Sequence, residues 1–195
     1  MEGRPPGPIM EGMARRLTSP IFVGRSEELK TLLSTADSAA DGHPALILIG
    51  GEAGVGKSRL VEEAVARLSA DSWLVIEGGA VALGEDGLPF GPIVEALRSL
   101  ARQVDPDVIA EAAGPSLPEL ARLVPEVSAV SSEIAPPGQT EWLQTRIFEG
   151  ALRLFGRLGE ASPVLLVIED MHWADRSTRD LLAFLTRNAR DERRC

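Results

Sequence analysis

Ala45-Leu46-Ile47-Leu48-Ile49-Gly50-Gly51-Glu52-Ala53-Gly54-Val55-Gly56-Lys57-Ser58 is the stretch on which the reading of this chain turns. Its first five residues are apolar with no polar face, which predicts a short strand buried on both sides of a parallel sheet. The octet from Gly51 to Ser58 then fits G-x-x-x-x-G-K-[ST]. Glycines allow the backbone twists that aim successive N–H groups at a phosphate, and a helix starting there adds a dipole that favours anions. In such a loop Gly51, Glu52, Ala53, Gly54, Val55 and Gly56 supply the cradle, and Arg59 stands beside it. Lys57 reaches the β- and γ-phosphates of a nucleotide, and the Ser58 hydroxyl ligates Mg²⁺. The Glu52 side chain reads as a solvated loop residue. A plain glycine turn with an exposed lysine would not require the buried strand before it or the helical spacing of Leu60, Val61, Ala64, Val65 and Leu68 after it.

Upstream, Ser26 with the first-turn acids Glu27 and Glu28 opens a helix carrying Leu29, Leu32, Leu33, Ala36 and Ala40, ending near Asp41-Gly42. Downstream, Trp73 to Ile76 predicts a second strand closed by Gly78-Gly79, and Pro92 to Leu100 a helix with Ile93, Leu97 and Leu100 inside. Strand and helix alternate, so the expected fold class is α/β, a three-layer P-loop core on a parallel sheet, incomplete on its C-terminal side. Six prolines between residues 105 and 138 allow only short helical pieces, such as Glu119 to Val124, and mark an insertion on the sheet. Thr140 to Leu158 reads as a longer amphipathic helix. Val164 to Ile168 is another wholly apolar strand, and Ser177-Thr178-Arg179-Asp180 looks like a capping box for a last helix.

Composition narrows the function. The 195 residues carry a net charge of −9, with 18 Arg and 2 Lys, so a surface built to neutralise a phosphate backbone is not expected. The single Cys195 excludes an internal disulfide and a cysteine metal cage. Pro5, Pro6, Gly7 and Pro8 interrupt the place where a signal peptide needs an apolar run, and no stretch is long enough to span a membrane, which makes a cytoplasmic protein the expectation. Residues 1–19 read as a flexible leader and 20–195 as one partial P-loop ATPase domain.

A nucleotide site also needs an acid for Mg²⁺ and a base to orient water, both commonly at the carboxyl end of a sheet strand. Glu169 and Asp170 end the apolar run at 164–168 and fit that need. Glu169 takes the water-mediated Mg²⁺ position and Asp170 the polarising one, although the pair can share or exchange roles.

Four pieces in order then carry a resemblance: Phe22-Val23-Gly24-Arg25-Ser26-Glu27-Glu28-Leu29, the loop at 51–58, Leu88-Pro89-Phe90-Gly91-Pro92-Ile93-Val94-Glu95-Ala96-Leu97-Arg98, and Ile168-Glu169-Asp170-Met171-His172-Trp173-Ala174-Asp175-Arg176-Ser177. Over about residues 20 to 190 the chain resembles the N-terminal ATPase module of large ATP-binding LuxR-type transcriptional regulators of actinobacteria. That module belongs to the STAND branch of AAA-like P-loop ATPases and is similar to the ATPase core of origin-recognition proteins. The resemblance implies ATP with Mg²⁺ as cofactor, ATP favoured over GTP, and adenine contacts from Phe22, Val23, Gly24 and Arg25. With only two histidines in the chain and no second ligand near His172, a metal site is not expected; His172 and Trp173 read instead as packing beneath the phosphate loop as a structural turn.

The same resemblance implies that the phosphate-loop strand lies beside a strand that follows the acidic strand in sequence and carries a polar sensor. No such strand occurs before Cys195, nor a helical lid or a helix-turn-helix through which such a regulator would meet DNA. The expectation is therefore a truncated regulator with slow or absent hydrolysis, whose open strand edges promote self-association. Alternatives are a nucleotide-dependent protein-interaction module without turnover and an origin-recognition-like ATPase; the negative charge speaks against the latter.

Overall fold

Two of the apolar runs become strands because they find each other. In the computed structural model, which describes residues 24–80, 89–127 and 140–192, β1 (Leu74–Gly79) and β2 (Val164–Glu169) pair in parallel. Leu74 lies opposite Val164 and Gly79 opposite Glu169. A crossover through several helices joins them, as a parallel pair requires. The described residues thus form an α/β arrangement with a two-stranded sheet, and the larger sheet of a three-layer core is not among them.

The expected strand at Ala45–Ile49 is a correction. These residues lie in no strand, and Leu46, Ile47 and Leu48 are 52%, 42% and 78% exposed. Neither β1 nor β2 pairs with the run, and an apolar run without a partner cannot bury its faces or satisfy its backbone as a strand does.

Among the described residues seven α-helices accompany the strands: α1 (Ser26–Ala40), α2 (Lys57–Ala70), α3 (Gly91–Ala101), α4 (Pro106–Ala113), α5 (Leu117–Leu123), α6 (Thr140–Ala161) and α7 (Arg176–Glu192). The proline-rich stretch carries short helices, α4 and α5, of 8 and 7 residues. Pro106 and Pro118 sit in the first turns of α4 and α5, where the missing N–H costs nothing, and the Asp105 carboxylate caps α4 by accepting from the Asp107 N–H at 2.9 Å. The insertion is described only to Val127; residues 128–139 lie outside the described set, as do the leader at 1–19 and the expected adenine contacts Phe22 and Val23.

The main core gathers Ile76, Ile93, Leu97, Leu100, Ile109, Leu120, Leu154 and Leu181 from β1, α3, α4, α5, α6 and α7, all essentially without solvent contact. The three inward positions expected on α3 are among them. One glycine explains the tight seating of α3 on β1: a Cβ on Gly78 would stand 2.1 Å from the Pro92 carbonyl oxygen. A second, smaller cluster of Leu29, Leu60 and Ala64, flanked by Leu32 and Leu33, holds α1 against α2. The loop at 51–58 therefore leads into a helix held by this smaller cluster and, at its far end, by β1.

Candidate functional site

The loop expected to cradle phosphates takes the shape its glycines permit. Gly51, Gly54 and Gly56 have φ of 148°, 80° and 88°, and Gly56 stands at the N-cap of α2, so the loop runs directly into a helix N-terminus. Lys57 is half-buried in the first turn, and its Nζ donates to the Gly51 carbonyl at 3.0 Å and to the Glu52 carbonyl at 2.9 Å. Ser58 is likewise half-buried in that turn, whereas Glu52, Ala53 and Val55 are exposed. Arg59 points along α2 and pairs with Glu62 at 3.6 Å. The donor set suits a polyphosphate: backbone N–H groups, a cation and a hydroxyl meet at one helix end.

Gly24 and Arg25 lie at the start of α1 with φ of 77° and 53°. Arg25, not Ser26, is the N-cap; Ser26 is the first helical residue, followed by the expected acids. The Arg25 carbonyl accepts the Leu29 N–H, which starts the helix without a side-chain cap.

Glu169 and Asp170 end β2 where the sequence places them, both exposed. Asp170 adopts the left-handed region at φ 52°, a conformation that Asp tolerates better than most residues. Its Oδ1 lies 4.0 Å from Nδ1 of His172. Among the described residues no hydrogen bond or ion pair joins Lys57 or Ser58 to either acid. His172 and Trp173 correct the expectation of a turn packed beneath the loop. Trp173 is 54% exposed, and the two rings stack obliquely on each other with centroids 4.9 Å apart. At the carboxyl ends of both strands a cavity of about 310 Å³ is lined by Glu77, Gly78, Gly79, Glu95, Val167 and Glu169. No phosphate-loop residue lines it, and among the described residues no cluster of His, Cys, Asp and Glu is arranged to hold a metal by itself.

Asp175 is the side chain that the sequence pattern does not single out. The pattern points to Ser177 as the cap of the last helix; α7 instead begins at Arg176, and the Asp175 carboxylate accepts from the Thr178 N–H at 3.0 Å and the Thr178 hydroxyl at 2.6 Å. It also accepts from the distant Phe90 N–H at 3.1 Å. Burial pushes this carboxyl up, but the bonds from Thr178, Phe90 and its own amide outweigh that and hold it below the ordinary aspartate value. The signal was an acid three residues before a threonine, an alternative capping register for the same helix.

Comparison with known proteins agrees with this geometry. The model of the AAA ATPase domain family matches residues 21–195, and the chain belongs to that family. Membership of that family points to a nucleotide-binding ATPase domain. The chain is 27% identical over 180 residues to an uncharacterized protein of Rhizobium meliloti (strain 1021), an alignment covering 86% of this chain and 17% of that relative. No solved structure matches it. Among the described residues no helix is long and apolar enough to cross a membrane.

Proposed function

We propose that this chain is the ATP·Mg-binding module of a LuxR-type transcriptional regulator, using nucleotide occupancy as a switch and hydrolysing ATP slowly or not at all. The observation that carries the reading is Lys57 in the first turn of α2, bonded to two carbonyls of the glycine loop and so held at the helix end where a triphosphate would be met. In this reading Gly51 to Gly56 cradle the phosphates, Lys57 bridges the β- and γ-phosphates, and Ser58 with Glu169 holds Mg²⁺. Asp170 polarises the attacking water, Val23, Gly24 and Arg25 face the adenine, and Arg59 lies at the edge of the loop. The bound Mg²⁺ would neutralise developing phosphate charge.

A three-layer P-loop sheet, a cytoplasmic location and contact with DNA only through a further domain belong to the same proposal. Lys57→Ala should abolish binding of a labelled ATP analogue in equilibrium dialysis, because a desolvated triphosphate needs its charge-assisted partner. Equal binding by parent and variant would overturn the assignment.

A second reading, a nucleotide-dependent protein-interaction module without turnover, is favoured by the acids being exposed and unconnected to the loop. Single-turnover hydrolysis separates the two.

A further inference from the structure

We infer that Asp175 is a positioning residue for the two acids at the end of β2, tying the turn that follows them to the N-terminus of α3. Its purpose rests on the nucleotide reading above; its geometry rests on hydrogen bonds of this chain. Asp170 and Asp175 bracket a short 3-10 turn, Met171–Trp173, closed by the Trp173 N–H donating to the Asp170 carbonyl at 2.8 Å and the Ala174 N–H to the Met171 carbonyl at 3.1 Å. Arg179 donates to the Ala174 carbonyl from the far side. At the end of this turn the Asp175 carboxylate spends one oxygen on Phe90 and the Thr178 amide, and the other on the Thr178 hydroxyl, a residue with no solvent contact.

Phe90 is not a passive donor. It is buried, its φ is 62°, and its ring meets Phe148 edge-on with centroids 6.2 Å apart. A bulky residue stays in the left-handed region only where its surroundings over-determine it. The Asp175 carboxylate and the Phe148 ring supply that constraint. From Phe90 the path continues into α3, whose Glu95 carboxylate accepts the Gly79 N–H at 2.8 Å, while the next amide, Ala80, donates to the Glu169 carbonyl at 3.1 Å. Both sides of the acidic strand end are thus anchored to one helix. Asp175 closes the circuit 85 residues away from Phe90 in sequence.

The test has two arms on the full chain. In the nucleotide-free protein, Asp175→Ala should speed amide hydrogen exchange of Phe90, Trp173 and Thr178 by about tenfold, the factor carried by one ordinary buried hydrogen bond, and leave α4 and α6 unchanged. Asp175→Asn, whose Oδ1 still accepts both amides, should restore most of the protection. Unchanged exchange at Trp173 in the alanine variant overturns the inference. The second arm takes the ratio of ATP dissociation constants in EDTA and in Mg²⁺. Asp175→Ala should lower that ratio about tenfold while leaving the EDTA value as in the parent, since the loop at 51–58 is untouched. An equal loss in both buffers means the residue only supports folding, and the inference falls. A parent with no Mg²⁺ dependence overturns the nucleotide reading instead, and the exchange arm then decides on Asp175 alone. Should Asp175→Ala not fold, Thr178→Val removes the hydroxyl bond only and is judged by the same outcomes.

Discussion

Ala45–Ile49 and Val164–Ile168 are both runs of five apolar residues, nearly alike in composition, and they end in different states. The second lies in β2, paired residue by residue with β1, with Val164, Leu166 and Ile168 packed on the main core. The first pairs with neither β1 nor β2, and four of its five residues, Ala45 to Leu48, are exposed. Apolar content therefore qualifies a segment for a sheet, and a hydrogen-bonding neighbour decides whether it enters one. The same contrast runs through the cores. β2 stands on a cluster fed by five helices and β1, whereas the segment at 45–49 leads to a loop and helix supported by three buried residues.

The largest effect should come from attacking the strand that makes β2 a strand. Gly78→Ala puts a methyl group against the Pro92 carbonyl and should cost about 3 kcal/mol, the upper part of the range for overpacking, measured by urea unfolding. A loss below about 0.5 kcal/mol, the scale of surface changes, would mean that α3 does not seat on β1 as described. Next, Leu166→Asp places a charge on the face of β2 that meets the core, and should cost about 2 kcal/mol.

A smaller effect concerns the end of β2 and is read by pH. The Asp175 carboxyl titrates below its ordinary value in the folded chain, so between the two values the unfolded chain binds the extra proton and stability rises with pH. That contribution is complete above about pH 4 and is lost as the pH falls through the depressed native value. The gap in urea midpoint between the parent and Asp175→Asn should accordingly close on acidification; a gap that widens reverses the sign and breaks the assignment. Smallest of all, Leu48→Asp should change stability by less than about 0.5 kcal/mol, while reducing any self-association seen in sedimentation. A cost as large as that of Leu166→Asp would show that 45–49 is paired in solution and would erase the contrast.

What the sequence discloses follows from how local each signal is. The loop at 51–58, the start of α2, the inner face of α3 and the span of α6 are set by residues near one another in the chain, and periodicity or motif spacing reads them directly. β2 and its two acids are equally legible because the apolar run and the carboxylates are contiguous. The fate of 45–49 depends on a neighbour from elsewhere, and no local pattern reports whether it is present. Asp175 escapes for the same reason: its third partner is Phe90, and only the folded chain brings the two together. Pro106 and Pro118 fit the short helical pieces that the prolines allow, because a proline in a first turn begins a helix and the next one limits its length.

Lys57 has a consequence for how a ligand would arrive. With its ammonium already held by the Gly51 and Glu52 carbonyls, the loop is cross-linked by its own cation. An incoming anion does not meet a free charge; it exchanges partners with two carbonyl oxygens, and the affinity observed is the difference between the new set of bonds and the old. What the loop gives up in enthalpy it recovers in order, since the lysine side chain is immobilised before the encounter and little rotamer freedom is left to lose. In the proposed function, anion capture would be a displacement reaction, and its temperature dependence should carry the mark of bonds traded one for another.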